Sequence, residues 1–161
     1  MHEEQKQFLL RFFPAIAIAY AALYAIDVST LQNILAAGEG QALTALGITN
    51  NVEASTIQLP NASFEIVKEC TGLAMLGLFA ALLYATPHVP RKKRAKSFLE
   101  FAPFILSFNF ARLLLTISSG QVFGETGMQA LHLALWIVDA FAVLSLWAFC
   151  TNAIKQTNAK N

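Results

Sequence analysis

The sequence predicts an all-α integral membrane protein of about four transmembrane helices, with a small extracytoplasmic helical and β-hairpin insertion between the first and second. Three observations carry that prediction. Of the 161 residues, 56% are hydrophobic and 13% charged, where a soluble domain carries roughly a quarter charged residues, and mean hydropathy is +0.52. Four apolar stretches reach the roughly 17–25 residues a helix needs to cross a bilayer. Five of the eleven basic residues fall between the second and third stretch. The net charge of +1 offers no field for a polyanion, which argues against a nucleic-acid partner. Two cysteines, Cys70 and Cys150, with no CxxC pair, cannot build a disulfide scaffold, a structural zinc site or a dithiol couple. The length fits a single membrane domain over 1–161.

The first span is expected from about 8 to 26. Ala-Leu-Tyr-Ala at 22–25 resembles a signal-peptide cleavage site, but the apolar run exceeds the usual 7–15-residue core of such a peptide. The extracytoplasmic segment 27–69 is too long for a bare connection. Leu31, Ile34, Leu35, Leu43 and Leu46 fall at roughly helical spacing, interrupted by Gly38-Glu39-Gly40, which predicts a short interfacial or re-entrant helix pair. Thr56-Ile57-Gln58-Leu59 and Phe64-Glu65-Ile66 alternate around Pro60-Asn61-Ala62-Ser63, which predicts a hairpin. Asn61-Ala62-Ser63 also fits an N-glycosylation acceptor, with a plain turn the simpler reading.

The second span is expected from Cys70 to about Thr86, closed by Pro87 and Pro90, the third over 98–118 and the fourth over 128–150. Arg91-Lys92-Lys93-Arg94-Ala95-Lys96 follows the second, and the positive-inside rule puts this loop, and with it both termini, in the cytoplasm. Segments 27–69 and 119–127 hold Asp27, Glu39, Glu53, Glu65, Glu69 and Glu125 against Lys68 alone, as expected of the outer side. The basic run suits contact with anionic lipid better than nucleic acid.

Polar groups at bilayer depth are costly and tend to mark function. They are Glu69 and Cys70 at the mouth of the second span, Asn109 and Arg112 in the third, and His132 and Asp139 in the fourth. On this topology three helices bring a thiol, a guanidinium and an imidazole to one leaflet. Cys150, beside Phe149, reads as a small buried hydrophobe. Cys70 is expected to open a helix, where free backbone N–H groups and the positive dipole end favour a thiolate. Asn109 and Arg112 share a helix face. Arg112 could instead snorkel or pair with Asp139, and His132 could satisfy a neighbouring carbonyl. One His and one Asp two turns apart are too few ligands for a metal. His88 lies beside the basic loop on the wrong side, and His2 in the tail. Cysteine, histidine and a cation are the parts of acyl transfer: a nucleophile, a proton donor and an oxyanion partner.

At these residues the sequence resembles the exosortase/archaeosortase family of membrane cysteine transpeptidases. The likeness lies in Glu69-Cys70-Thr71-Gly72-Leu73, Asn109-Phe110-Ala111-Arg112 and Leu131-His132, in order on alternating spans, and covers roughly residues 50–150. It implies a helical membrane enzyme without a cofactor, which cleaves C-terminal sorting signals made of a short motif, a transmembrane helix and a basic tail. It also implies that the new carboxyl end can pass to an amine acceptor on a lipid or cell-surface component. By resemblance Cys70 is the nucleophile, Arg112 the oxyanion or substrate-positioning cation, His132 the general acid/base, and Asn109 the support of Arg112. The membrane is then the cytoplasmic membrane of a prokaryote, with the site facing out. The competing expectation is a non-enzymatic membrane subunit or small transporter in which Arg112, His132 and Asp139 form a structural or proton-relay network.

Overall fold

The computed structural model describes residues 3–87 and 89–159, with side chains described as far as Thr151. His2, His88 and Lys160 therefore lie outside the described residues. Four α-helices run in order: α1 (Glu3–Ala25), α2 (Ser29–Ala45), α3 (Leu73–Ala85) and α4 (Arg91–Ala159). Between α2 and α3 come the strands β1 (Asn51–Glu53), β2 (Thr56–Gln58) and β3 (Ser63–Glu65), then a 3₁₀ turn over Lys68–Thr71.

The segment expected to be a helix pair and a hairpin is one helix and a three-stranded sheet. Gly38-Glu39-Gly40 does not break α2. A Cβ at Gly40 would lie 2.4 Å from Val52 Cγ2, and one at Gly38 would lie 3.4 Å from the Phe110 ring. These glycines therefore let α2 approach β1 and α4 closely, at the modest helix cost of glycine. β2 and β3 pair antiparallel with Ile57 opposite Phe64; that is the expected hairpin, and Asn61-Ala62-Ser63 spans its turn, closed by Leu59 N–H donating to Ala62 O at 2.8 Å. β1 adds a third strand with Val52 opposite Ile57. Its two-residue turn places Ala54 at φ 53°, the left-handed conformation such hairpin turns require.

The expected outer loop at 119–127 is helical except at Gly124 (φ 65°, ψ −169°), where α4 breaks into two arms. The arms fold back on each other. Phe101 and Phe149 rings meet at 6.4 Å, Arg112 pairs with Asp139, and Gly120 lies against Met128, stepping inward towards Gly124. The basic run 91–96 opens α4 instead of forming a loop. Among the described residues, helix boundaries thus give two stretches long and apolar enough to cross a membrane, α1 and residues 91–151, where hydropathy predicts four. The third and fourth segments share one helical stretch, and α3, with 13 residues, spans about 20 Å at 1.5 Å per residue.

Two apolar clusters form the interior. One joins Leu43 of α2, Ile57, Phe64, Cys70, Leu113, Ile117 and Met128. The other joins Phe79 and Leu82 of α3 to Ile105, Val143 and Cys150 of α4, with Phe8 and Phe12 of α1 against it. The exterior is apolar as well: Leu10, Phe13, Ile18, Leu133 and Phe141 are each more than 60% exposed, a surface that suits lipid and not water. α1 rests on α3 through Ala19 against Gly77.

Candidate active site

Cys70 does not open α3. It lies in the 3₁₀ turn, and Gly72 at φ 81° separates that turn from the helix beginning at Leu73. Only glycine takes this conformation readily, and a Cβ there would also press on Leu106 (3.1 Å) and Asn109 (3.3 Å). Helix α3 begins beyond this reversal, so Cys70 is not the first helical residue that the sequence predicts. The turn is held by Thr71 Oγ1 donating to Lys68 O at 2.6 Å. Lys68 Nζ donates to Tyr24 O and Ile26 O, and the Tyr24 hydroxyl donates to Glu69, which holds the Glu69 carboxyl below its usual range. Glu69 thereby ties the Cys70 turn to the end of α1.

Asn109 and Arg112, one turn apart on the first arm of α4, are buried. Asn109 Nδ2 donates to Cys70 O at 2.9 Å, and Arg112 Nη2 donates to Asn109 Oδ1 at 3.2 Å. Arg112 Nη1 lies 3.3 Å from Asp139 Oδ2 on the second arm. The Cys70 thiol is 1% exposed. Burial pushes it up from its ordinary value, against the opposing pull of the turn backbone at Val67 and of the Arg112 guanidinium beside it. The structure thus brings together Cys70, Asn109, Arg112 and Asp139, which the sequence had spread over three segments.

His132 is half-buried on the second arm. Its ring packs edge-on against Phe64 at 5.3 Å and near Trp136 at 5.7 Å, and its Nδ1 is buried without a hydrogen-bond partner. It stands within range of the Arg112 charge, reached from the β3 side of the site, and no described bond ties it to Cys70. A cleft of ≈ 160 Å³ between α1, α3 and the second arm reaches Glu69 and Asp139, lined also by Tyr20, Met75, Trp136 and Val143. Among the described residues no three His, Cys, Asp or Glu side chains gather to hold a metal ion.

One residue of this neighbourhood is read from the sequence only as an acid of the outer segment and not as part of the site. Glu39 of α2 is fully buried, on the face that carries Ala36 and Leu43 into the Cys70 cluster. Both carboxyl oxygens lack a hydrogen-bond partner, and the charge that acts on the group is that of Arg112. The available signal was an acid flanked by glycines on the apolar face of a helix.

No curated protein and no solved structure matches the chain. A family model described as transmembrane exosortase matches residues 5–150, which takes in both apolar clusters and every residue of the site just described. This apolar, mostly helical chain, with a buried cysteine, asparagine and arginine linked across two segments, belongs to the transmembrane exosortase family.

Proposed function

We propose that the protein is a membrane cysteine protease/transpeptidase that cleaves C-terminal sorting signals of membrane-tethered surface proteins. Support comes from one observation above all: the Cys70 turn is bonded through Asn109 to Arg112, which lies beside the thiol. In this reading the Cys70 thiolate attacks the scissile carbonyl carbon while Arg112 steadies the oxygen that becomes negative. The C–N bond breaks, the amine leaves with the proton that the Cys70 thiol gave up and His132 carried, and the acyl group remains on sulfur as a thioester. Attack by an amine, on a lipid or cell-surface component, or by water releases the product and restores the thiol. Asn109 holds Arg112 in place. Substrates would carry a motif, a transmembrane helix and a basic tail. α1, α3 and the two arms of α4 would cross the cytoplasmic membrane of a prokaryote, termini inside and Cys70 outside.

A second reading has one specific observation in its favour. Arg112 already forms an ion pair with Asp139 in a buried setting, as in a structural or proton-relay network of a non-enzymatic membrane subunit. The two readings divide over Cys70. In a Cys150→Ser background, intact cells are treated with a membrane-impermeant thiol reagent across pH, with and without Arg112→Ala and His132→Ala. The enzyme reading expects labelling from outside that slows in both variants. Labelling that is absent, or indifferent to both partners, overturns it.

A further inference from the structure

Glu39 is a buried acidic side chain beside the Cys70 cluster that the proposed chemistry leaves unused. Its place is set by packing: the glycines on either side press α2 against Val52 of β1 and Phe110 of α4, which drives the intervening side chain into the interior, 0% exposed. Neither oxygen has a hydrogen-bond partner, and among the described residues Nε and Nη1 of Arg112 donate no hydrogen bond, Nη1 standing only in the ion pair with Asp139. A buried carboxylate with no partner is far costlier than the neutral acid.

Among the described residues one cation acts on Glu39. From α4, Arg112 acts on Glu39, with His132 and Asp139 around the same guanidinium. From the 3₁₀ turn comes Cys70, while Lys68 and Glu69 are turned to α1. β1 carries Glu53, which is exposed, and β2 carries no ionisable group. Asp139 already neutralises Arg112, so a second carboxylate could be satisfied only by taking the guanidinium from it.

We propose that Glu39 is a further positioning residue of the site, a buried uncharged carboxylic acid that leaves Arg112 directed at Asp139, Asn109 and Cys70 and draws it away once ionised. This rests on the reading of Cys70 and Arg112 as a working pair. Burial raises the Glu39 pKa to about 8, with Arg112 opposing. The acid is therefore neutral at pH 7, and the site loses its arrangement as pH rises past that value.

The test uses full-length protein in lipid nanodiscs and needs no substrate. With ¹³C-labelled glutamate, which separates Glu39 from Asp139, infrared titration should show a protonated carboxylic acid at pH 7 that is lost by pH 9 and is missing in Glu39→Gln. In the Cys150→Ser background, alkylation of Cys70 by iodoacetamide should match between wild-type and Glu39→Gln at pH 6.5. At pH 9 it should be roughly threefold or more faster in Glu39→Gln, which lacks the added negative charge, and the gap should close in an Arg112→Gln background. Absence of the titrating acid, or superimposable alkylation curves at every pH, overturns the proposal. Should Glu39→Gln fail to fold, the labelled wild-type and Arg112→Gln proteins decide: loss of the cation should move the glutamate titration to higher pH, and coincident titrations refute the link. The enzyme reading is judged separately, by whether Cys70→Ala still cleaves, so either proposal can fail alone.

Discussion

The molecule encloses its two cysteines equally and surrounds them differently. Cys70 is 1% exposed and Cys150 3%. Around Cys150 the neighbours are Phe79, Leu82, Ile105 and Val143, with Phe98 and Trp147 at the edge. Around Cys70 the apolar cluster is joined by Asn109, Arg112, Glu39 and Asp139, several with polar atoms that have no hydrogen-bond partner among the described residues. Burial therefore does not distinguish the two thiols; their polar company does. Unpartnered buried polar atoms cost stability, and a cluster of them beside a thiol is where function is expected to hold them in place.

The largest expected difference between the two regions is the fate of the cysteines. Cys70→Ala should abolish cleavage of a co-expressed protein bearing a C-terminal motif, span and basic tail, while membrane insertion is retained. Cys150→Ala should cleave like wild-type, read as product formed on a gel. Next is packing. Phe79→Ala empties the centre of the Cys150 cluster and should destabilise by about 3–5 kcal/mol in thermal unfolding, with the folded fraction still active. Arg112→Lys acts on the other region. It keeps the charge but loses the planar fork that reaches Asn109 and Asp139 together, so turnover should fall by roughly 10²–10³ with little loss of folded protein. Near-normal turnover would leave Arg112 outside the chemistry.

Gly72→Ala forces a side chain into φ 81° and against Asn109. A cost on the order of 1–3 kcal/mol is expected, together with loss of activity from the displaced Cys70 turn. The smallest effect is the pH slope. The Glu39 carboxyl titrates at about 8 in the folded protein against about 4.3 in an unfolded chain. Between those values the folded state holds a proton that the unfolded state has released. Stability is thus greatest below the window, falls as pH rises through it by up to about 1.4 kcal/mol per unit, and levels off above it. Unfolding midpoints of Glu39→Gln should show a flatter pH dependence, and equal slopes would remove the buried acid from the account.

The chain's apolar segments were legible because hydropathy is a local property, and β2 and β3 because alternation is. Cys70, Asn109 and Arg112 were legible as polar residues in apolar surroundings, and they meet in the structure. Three features were not legible. The helix of α2 reads as broken at Gly38-Glu39-Gly40, because glycine signals a turn when its neighbours in space are unknown. The start of α3 is displaced past Cys70 because Gly72 adopts a positive φ that nothing in its composition announces. The reversal of α4 falls on one residue, Gly124, in a stretch that reads as a longer loop.

By itself the sequence determined that this protein lives in a bilayer, which residues are too polar for that setting, and which family it belongs to, since all three follow from residue type and order. Tertiary structure alone decided that Glu39 joins the Cys70 site, that Asp139 is the partner of Arg112, and that His132 meets aromatic rings and not the thiol. Those outcomes depend on how closely two helices approach and where a chain reverses. Close packing at glycines and the cost of a lone buried charge set both, and neither is a property of any one segment.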